Sequence, residues 1–119
     1  MLKLLTTLAF ITGATVTMAE TKIAQVVEIA TFELADGVTH DAFAIVDAQV
    51  EADHVSQQPG FVSRETGATA TGWIAIVHWE SAEAAQASMD SFGSAPAAAE
   101  FMGMMDVSTM AMTRYALNK

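Results

Sequence analysis

The chain has no cysteine. That excludes disulfides, thiolate metal sites, cysteine nucleophiles and a lipid-modified cysteine anchor. Basic residues are scarce: five Lys and Arg stand against 14 Asp and Glu, for a net charge of −9. Such a chain offers no electrostatic footprint for nucleic acid or an anionic lipid surface, and its acidity serves solubility. Its two prolines, Pro59 and Pro96, both fall in breaks between segments. No Ser-His-Asp order, phosphate loop or nucleotide fingerprint occurs. His40, His54 and His78 fall on separate segments and lack the local spacing of metal ligands, so no metal is expected. With 119 residues, no long repeat and no long linker, there is room for one domain.

What is present begins with a distinct segment, residues 1–19. Lys3 supplies a positive start, Leu4 to Ile11 is apolar apart from Thr6 and Thr7, and Thr17-Met18-Ala19 offers small residues where a signal peptidase reads. This pattern predicts a cleaved secretory signal, with an uncleaved anchor as the alternative. The segment is short for a membrane span. The expected domain is therefore residues 20–119, periplasmic or secreted, with no membrane association after cleavage.

The rest is organised around Gln57 to Ser81. Pro59-Gly60 cannot continue a helix. Phe61 to Thr66 alternates as a half-buried strand, Gly67 to Gly72 holds only Gly, Ala and Thr and reads as a loop, and Trp73 to Glu80 is rich in aromatic and β-branched residues. Ser81 can cap a helix, with Glu83 in its first turn. Upstream, Ala24 to Leu34 reads as a strand with Val26, Ala30, Phe32 and Leu34 on one face and Val27 and Ile29 on the other. Asp36-Gly37 ends it, and Thr39 caps a helix from about His40 to about Gln57. Phe43, Val46, Val50 and His54 share the inner face of that helix, and Asp47 and Glu51 fall mostly outside. Downstream, a helix over Ser81 to Phe92 turns Ala85, Met89 and Phe92 inward. A short helix over Ala97 to Met105 and a strand over Val107 to Leu117 follow.

The order β-α-β-β-α-β predicts an α+β, ferredoxin-like fold: a four-stranded antiparallel sheet, first and third strands central, helices on one face. Val27, Ile29, Ile74 and Ile76 make the other face too apolar for water. The simplest cover is a second copy, which predicts an isologous homodimer through the sheet face.

Two segments carry a resemblance: Gln57-Gln58-Pro59-Gly60-Phe61 with Ser63-Arg64, and Trp73 with Val77-His78-Trp79-Glu80-Ser81 and Glu83-Ala84. They resemble the dimeric α/β-barrel superfamily, and within it proteins with an antibiotic-biosynthesis-monooxygenase-like domain, over about Ile23 to Leu117. The superfamily includes cofactor-free monooxygenases, haem-degrading enzymes and isomerases. The resemblance implies a cavity between sheet and helices, with Trp79 matching a strand-three tryptophan that often lines it. The haem-degrading relatives need a histidine ligand after strand three, and Ala97 to Asp106 has none.

The candidate site follows. Trp73, Ala75, Val77 and Trp79 share one strand face and form an apolar wall suited to a flat hydrophobic ligand, with Phe43 and Val50 on the inner helix face as further ligand contacts. Trp73 and Trp79 lie about 20 Å apart at about 3.3 Å per residue, so they cannot both touch one small ligand. Both can equally be core aromatics. His54 is the candidate proton donor or acceptor facing Trp79, or a packed histidine. Arg64 and Arg114 can hold a carboxylate or enolate oxygen, or else pair with the many acids. His78 should face the dimer interface or rim, bonding Glu28 if the central strands bring them close, and His40 should be solvated. Met102, Met104, Met105, Met110 and Met112 suggest core filler or a Cu(I) site. Three functions are expected from this set: oxidation of an aromatic or quinol-like molecule with no cofactor and with His54, Trp79 and Arg64 catalytic, non-catalytic binding of such a molecule, or Cu(I) binding.

Overall fold

The computed structural model describes residues 22–118, so the signal expected over residues 1–19 lies outside the described residues. Backbone pairing orders four strands, β1 (Val26–Leu34), β2 (Phe61–Ala68), β3 (Gly72–Trp79) and β4 (Met105–Ala116), as β2-β3-β1-β4, all antiparallel. Three helices, α1 (His40–Asp53), α2 (Ala82–Ser91) and α3 (Ala98–Gly103), connect them. The fold is ferredoxin-like α+β, with β1 and β3 central.

Local chemistry explains most boundaries. Thr39 Oγ1 accepts from the Ala42 N–H at 3.1 Å, and Ser81 Oγ from the Ala84 N–H at 3.1 Å, each satisfying a donor the helix start leaves free. α1 stops at His54 rather than near Gln57, giving way to a single 3₁₀ turn over Val55–Gln57. Gln58 precedes Pro59 and is held extended, so the chain must leave the helix early. Gly60 follows with φ of 87°, and a Cβ there would sit 2.5 Å from Ala84 Cβ on α2. Only glycine combines that backbone conformation with that approach.

Gly67-Ala68, expected in a loop, belong to β2, because Gly67 pairs with Ile74 and Ala68 with Trp73. Ladder bonds are made by backbone, so small side chains do not stop them. β4 likewise starts two residues earlier than expected, at Met105, which is buried opposite Leu34.

The core lies between the helices and one sheet face. Phe43, fully buried, meets Trp73, Phe101 and Phe32 at ring distances of 5.1, 5.0 and 5.6 Å. These edge-on and tilted contacts join α1, α3, β1 and β3. Asp47, expected outside, is instead 4% exposed, and Ser88 is buried where Met89 was expected to be. The opposite sheet face carries Val27, Ile29, Ile74 and Ile76, half-buried with nothing packed over them among the described residues.

Candidate functional site

At the middle of the sheet, Ala30 on β1 pairs with Ala75 on β3. Two alanines side by side on the two central strands leave the helix face hollow. The hollow is a cavity of about 360 Å³ between the sheet and α2 and α3, within the range of small-molecule sites. Phe32, Val77 and Trp79 complete its floor, Phe92, Phe101 and Val55 close it above, and Met89, Met102, Met110 and Met112 line its open side. Met89, Met110 and Met112 also border an outer groove with Gln86, Val107 and Arg114. The cavity thus opens between α2 and β4.

Three polar side chains reach this apolar space: Glu28, Arg64 and Ser88. Arg64 crosses from β2 to α1, where its Nη2 donates to Asp47 Oδ1 at 2.7 Å, and its Nη1 donates to Asp47 Oδ2 and Glu51 Oε1, each at 2.9 Å. Burial alone would lower the Arg64 pKa, but the hydrogen bonds and charges of Asp47 and Glu51 outweigh it and raise the pKa above its ordinary value. Glu28 is 7% exposed, and its Oε2 accepts from Arg114 Nε at 2.7 Å while Arg114 Nη1 donates to Gln86 Oε1 at 2.7 Å. Its Oε1 makes no hydrogen bond among the described residues. Trp79 is 1% exposed, and its indole N–H is buried without a partner among the described residues.

The expected site residues separate into two groups. Trp79, Ala75, Val77 and Arg64 line the cavity. Phe43 and Val50 lie in the core and do not. Trp73 faces a different hollow, over α1 with Asp47 and Thr66, and stacks on His40 at 6.3 Å. His54 is buried behind the wall: its Nε2 lies 3.3 Å from Ser88 O and 3.3 Å from Ser91 Oγ, and its ring meets Phe92 edge-on at 5.8 Å. It therefore touches two lining residues without lining the cavity itself. His40 is not simply solvated, since its Nε2 lies 3.2 Å from Gly72 O. The His78–Glu28 contact does not form, because alternation along β1 and β3 puts them on opposite sheet faces; His78 Nδ1 lies 3.4 Å from Ser63 Oγ instead. Glu28 and Ser88 were missed as site residues. The signal for Glu28 was its place between Val26 and Ala30, on the inward register of the strand.

No family model matches the chain, and no curated protein does. Solved structures do. A cofactor-independent oxygenase, SnoaB from Streptomyces nogalater, is 18% identical, with a TM-score of 0.66 over 82% of this chain and 96% of that one. A dimeric ferredoxin-like protein of unknown function from Thermobifida fusca is 17% identical, with a TM-score of 0.62 over 83% of this chain and 96% of that one. A monooxygenase from Streptomyces coelicolor, in complex with nanaomycin D, is 17% identical, with a TM-score of 0.56 over 81% and 89%. The chain shares its fold with these proteins. Among the described residues no helix is long and apolar enough to cross a membrane, and no three His, Cys, Asp or Glu side chains gather as a metal site.

Proposed function

We propose that the cavity under α2 and α3 binds a flat, hydrophobic aromatic or quinol-like molecule, and that the protein oxidises it with dioxygen and no metal or flavin. The observation that carries this is the hollow itself: the paired Ala30 and Ala75 leave about 360 Å³ lined almost wholly by apolar and aromatic side chains, with Trp79 and Phe32 as its flat floor. The shared fold with cofactor-independent oxygenases supports the reaction class. In such a reaction the substrate supplies the electrons: one oxygen atom enters the ring carbon and the other leaves as water with two of the substrate's hydrogens. Oxygen uptake with a panel of phenols and hydroquinones tests it, and no uptake above the unaided rate with any of them removes the enzymatic reading.

Binding without turnover is the second reading. Arg64 and Arg114 support it, since both are already paired with acids and neither stands free to stabilise a developing enolate. A ligand retained in native mass spectra, with no oxygen uptake, would select it.

The working form on this reading is an exported homodimer joined through the open sheet face. The half-buried Val27, Ile29, Ile74 and Ile76 support the dimer, and residues 1–19 support the export. An intact N-terminus on the mature protein would remove the export reading.

A further inference from the structure

Among the described residues Glu28 is the one carboxylate in the cavity wall, on the central strand beside Val77 and opposite the helices. Its two oxygens have different surroundings. Arg114 holds Oε2, and Gln86 on α2 holds Arg114, so the carboxylate is fixed from behind. Oε1 has no partner among the described residues. A carboxylate oxygen that is fixed, nearly buried and unpaired is a strong acceptor for a hydroxyl.

The surrounding charges point the same way. Arg64 is engaged by Asp47 and Glu51, and Arg114 by Glu28. Of the two charged residues that line the cavity, Arg64 is already held by two acids and Glu28 keeps an open oxygen. An anionic ligand oxygen would meet Glu28 rather than a free guanidinium, and like charges at short range in a poorly solvated space repel. The arginines expected to attract a carboxylate or enolate instead neutralise their own acids.

Resting on the small-molecule reading of this cavity, we infer that Glu28 is its specificity-determining residue: the free oxygen accepts a hydrogen bond from a ligand hydroxyl, so the site selects neutral hydroxylated aromatics over their ethers and over aromatic carboxylates. Trp79 then supplies a flat apolar surface beside that acceptor, on the same face of the sheet.

Three probes of one shape test this by isothermal titration: 2-naphthol, 2-methoxynaphthalene and 2-naphthoate. The wild-type protein should bind 2-naphthol at least about tenfold more tightly than the ether, as a charge-assisted hydrogen bond implies, with 2-naphthoate weakest. In Glu28→Gln the amide oxygen should take over the bond from Arg114 and turn its NH2 into the cavity. The preference for naphthol over the ether should then shrink below about threefold. Equal wild-type binding of naphthol and ether, or tightest binding of the carboxylate, overturns the role of Glu28 while leaving the cavity reading in place. Loss of the preference in Ser88→Ala with its retention in Glu28→Gln also overturns it, by moving the acceptor to the Ser88 hydroxyl. No binding of any of the three overturns the cavity reading itself. The wild-type ranking is decisive even if a variant fails to fold.

Discussion

Arg64 and Asp47 form a two-pronged pair across the sheet–helix boundary, at 2.7 and 2.9 Å, with side chains only 4% and 6% exposed. The pair pins β2 to α1 on the edge of the core. Glu51 joins at 2.9 Å but keeps 38% of its side chain exposed. Removing one member of a buried pair leaves an uncompensated charge in a poorly solvated place.

Asp47→Ala should therefore lower stability by about 3–5 kcal/mol, a drop of more than about 10 °C in melting temperature. Glu51→Ala should stay within about 1 kcal/mol, because water replaces its carboxylate. Urea unfolding of both variants checks the contrast. The Arg64 pKa is raised in the fold, so stability from its own titration is fully present below its ordinary unfolded value and lost only as pH rises through the higher folded one. Its contribution should show no pH dependence over the range in which the protein is handled.

Trp79→Phe should change stability by on the order of 1 kcal/mol, since the packing it loses is offset by removal of an unpaired donor. Ligand binding should weaken in the same variant. Trp73→Phe, outside the cavity, should leave ligand binding unchanged. Parallel melting curves and titrations check this; unchanged ligand behaviour in Trp79→Phe together with a large fall in melting would make Trp79 a core residue only.

His54 joins the end of α1 to α2 through Ser88 and Ser91. His54→Ala should lower stability by about 2 kcal/mol, because the buried ring's partners lose their bonds. Calorimetry measures the fall in melting temperature that this loss implies.

Gly60→Ala should be far more damaging than Gly37→Ala. Both glycines have positive φ, 87° and 83°, but a Cβ on Gly37 meets nothing within 4 Å while one on Gly60 meets Ala84 Cβ at 2.5 Å. The left-handed backbone alone costs about 1–2 kcal/mol, which sets the expected loss for Gly37→Ala. The loss at Gly60 should exceed it by at least about 1 kcal/mol, through displacement of α2.

Ile29→Glu and Ile76→Glu lie on adjacent central strands as direct cross-strand partners. Either should convert a dimer to a monomer in sedimentation, with far-UV circular dichroism unchanged, because both side chains face away from the helices. A wild-type monomer at micromolar concentration would remove the sheet-face dimer.

Element order was legible because strong punctuation marks each change: Asp36-Gly37, Pro59-Gly60 and Ser81 interrupt runs whose apolar spacing is clear. Trp79, Ala75 and Val77 were legible by alternation alone. Glu28, Asp47 and Ser88 were not, although each sits at an inward position: Glu28 two residues from Val26 and Ala30, Asp47 four from Phe43, Ser88 three from Ala85. Their polarity argued for the surface. What brings them inside is a distant partner or the cavity itself: Arg114 for Glu28, Arg64 for Asp47, and for Ser88 the cavity it lines. Spacing within one element carries no information about such partners. The same limit applied to His54, whose helix face was read correctly and whose neighbours were not.

The cavity has walls of unequal stiffness. One is Trp79, Phe32 and the two alanines, held on the central strands by backbone pairing on both sides. The other is Met89, Met110 and Met112, three unbranched thioether chains on α2 and the edge strand. Unbranched side chains rearrange around a guest that rigid aromatics and strand backbone would refuse. Discrimination should therefore be directional: a substituent aimed at the sheet centre is rejected by shape, whereas one projecting toward the methionines is accommodated, so a series of molecules alike at one end and varied at the other would all be admitted.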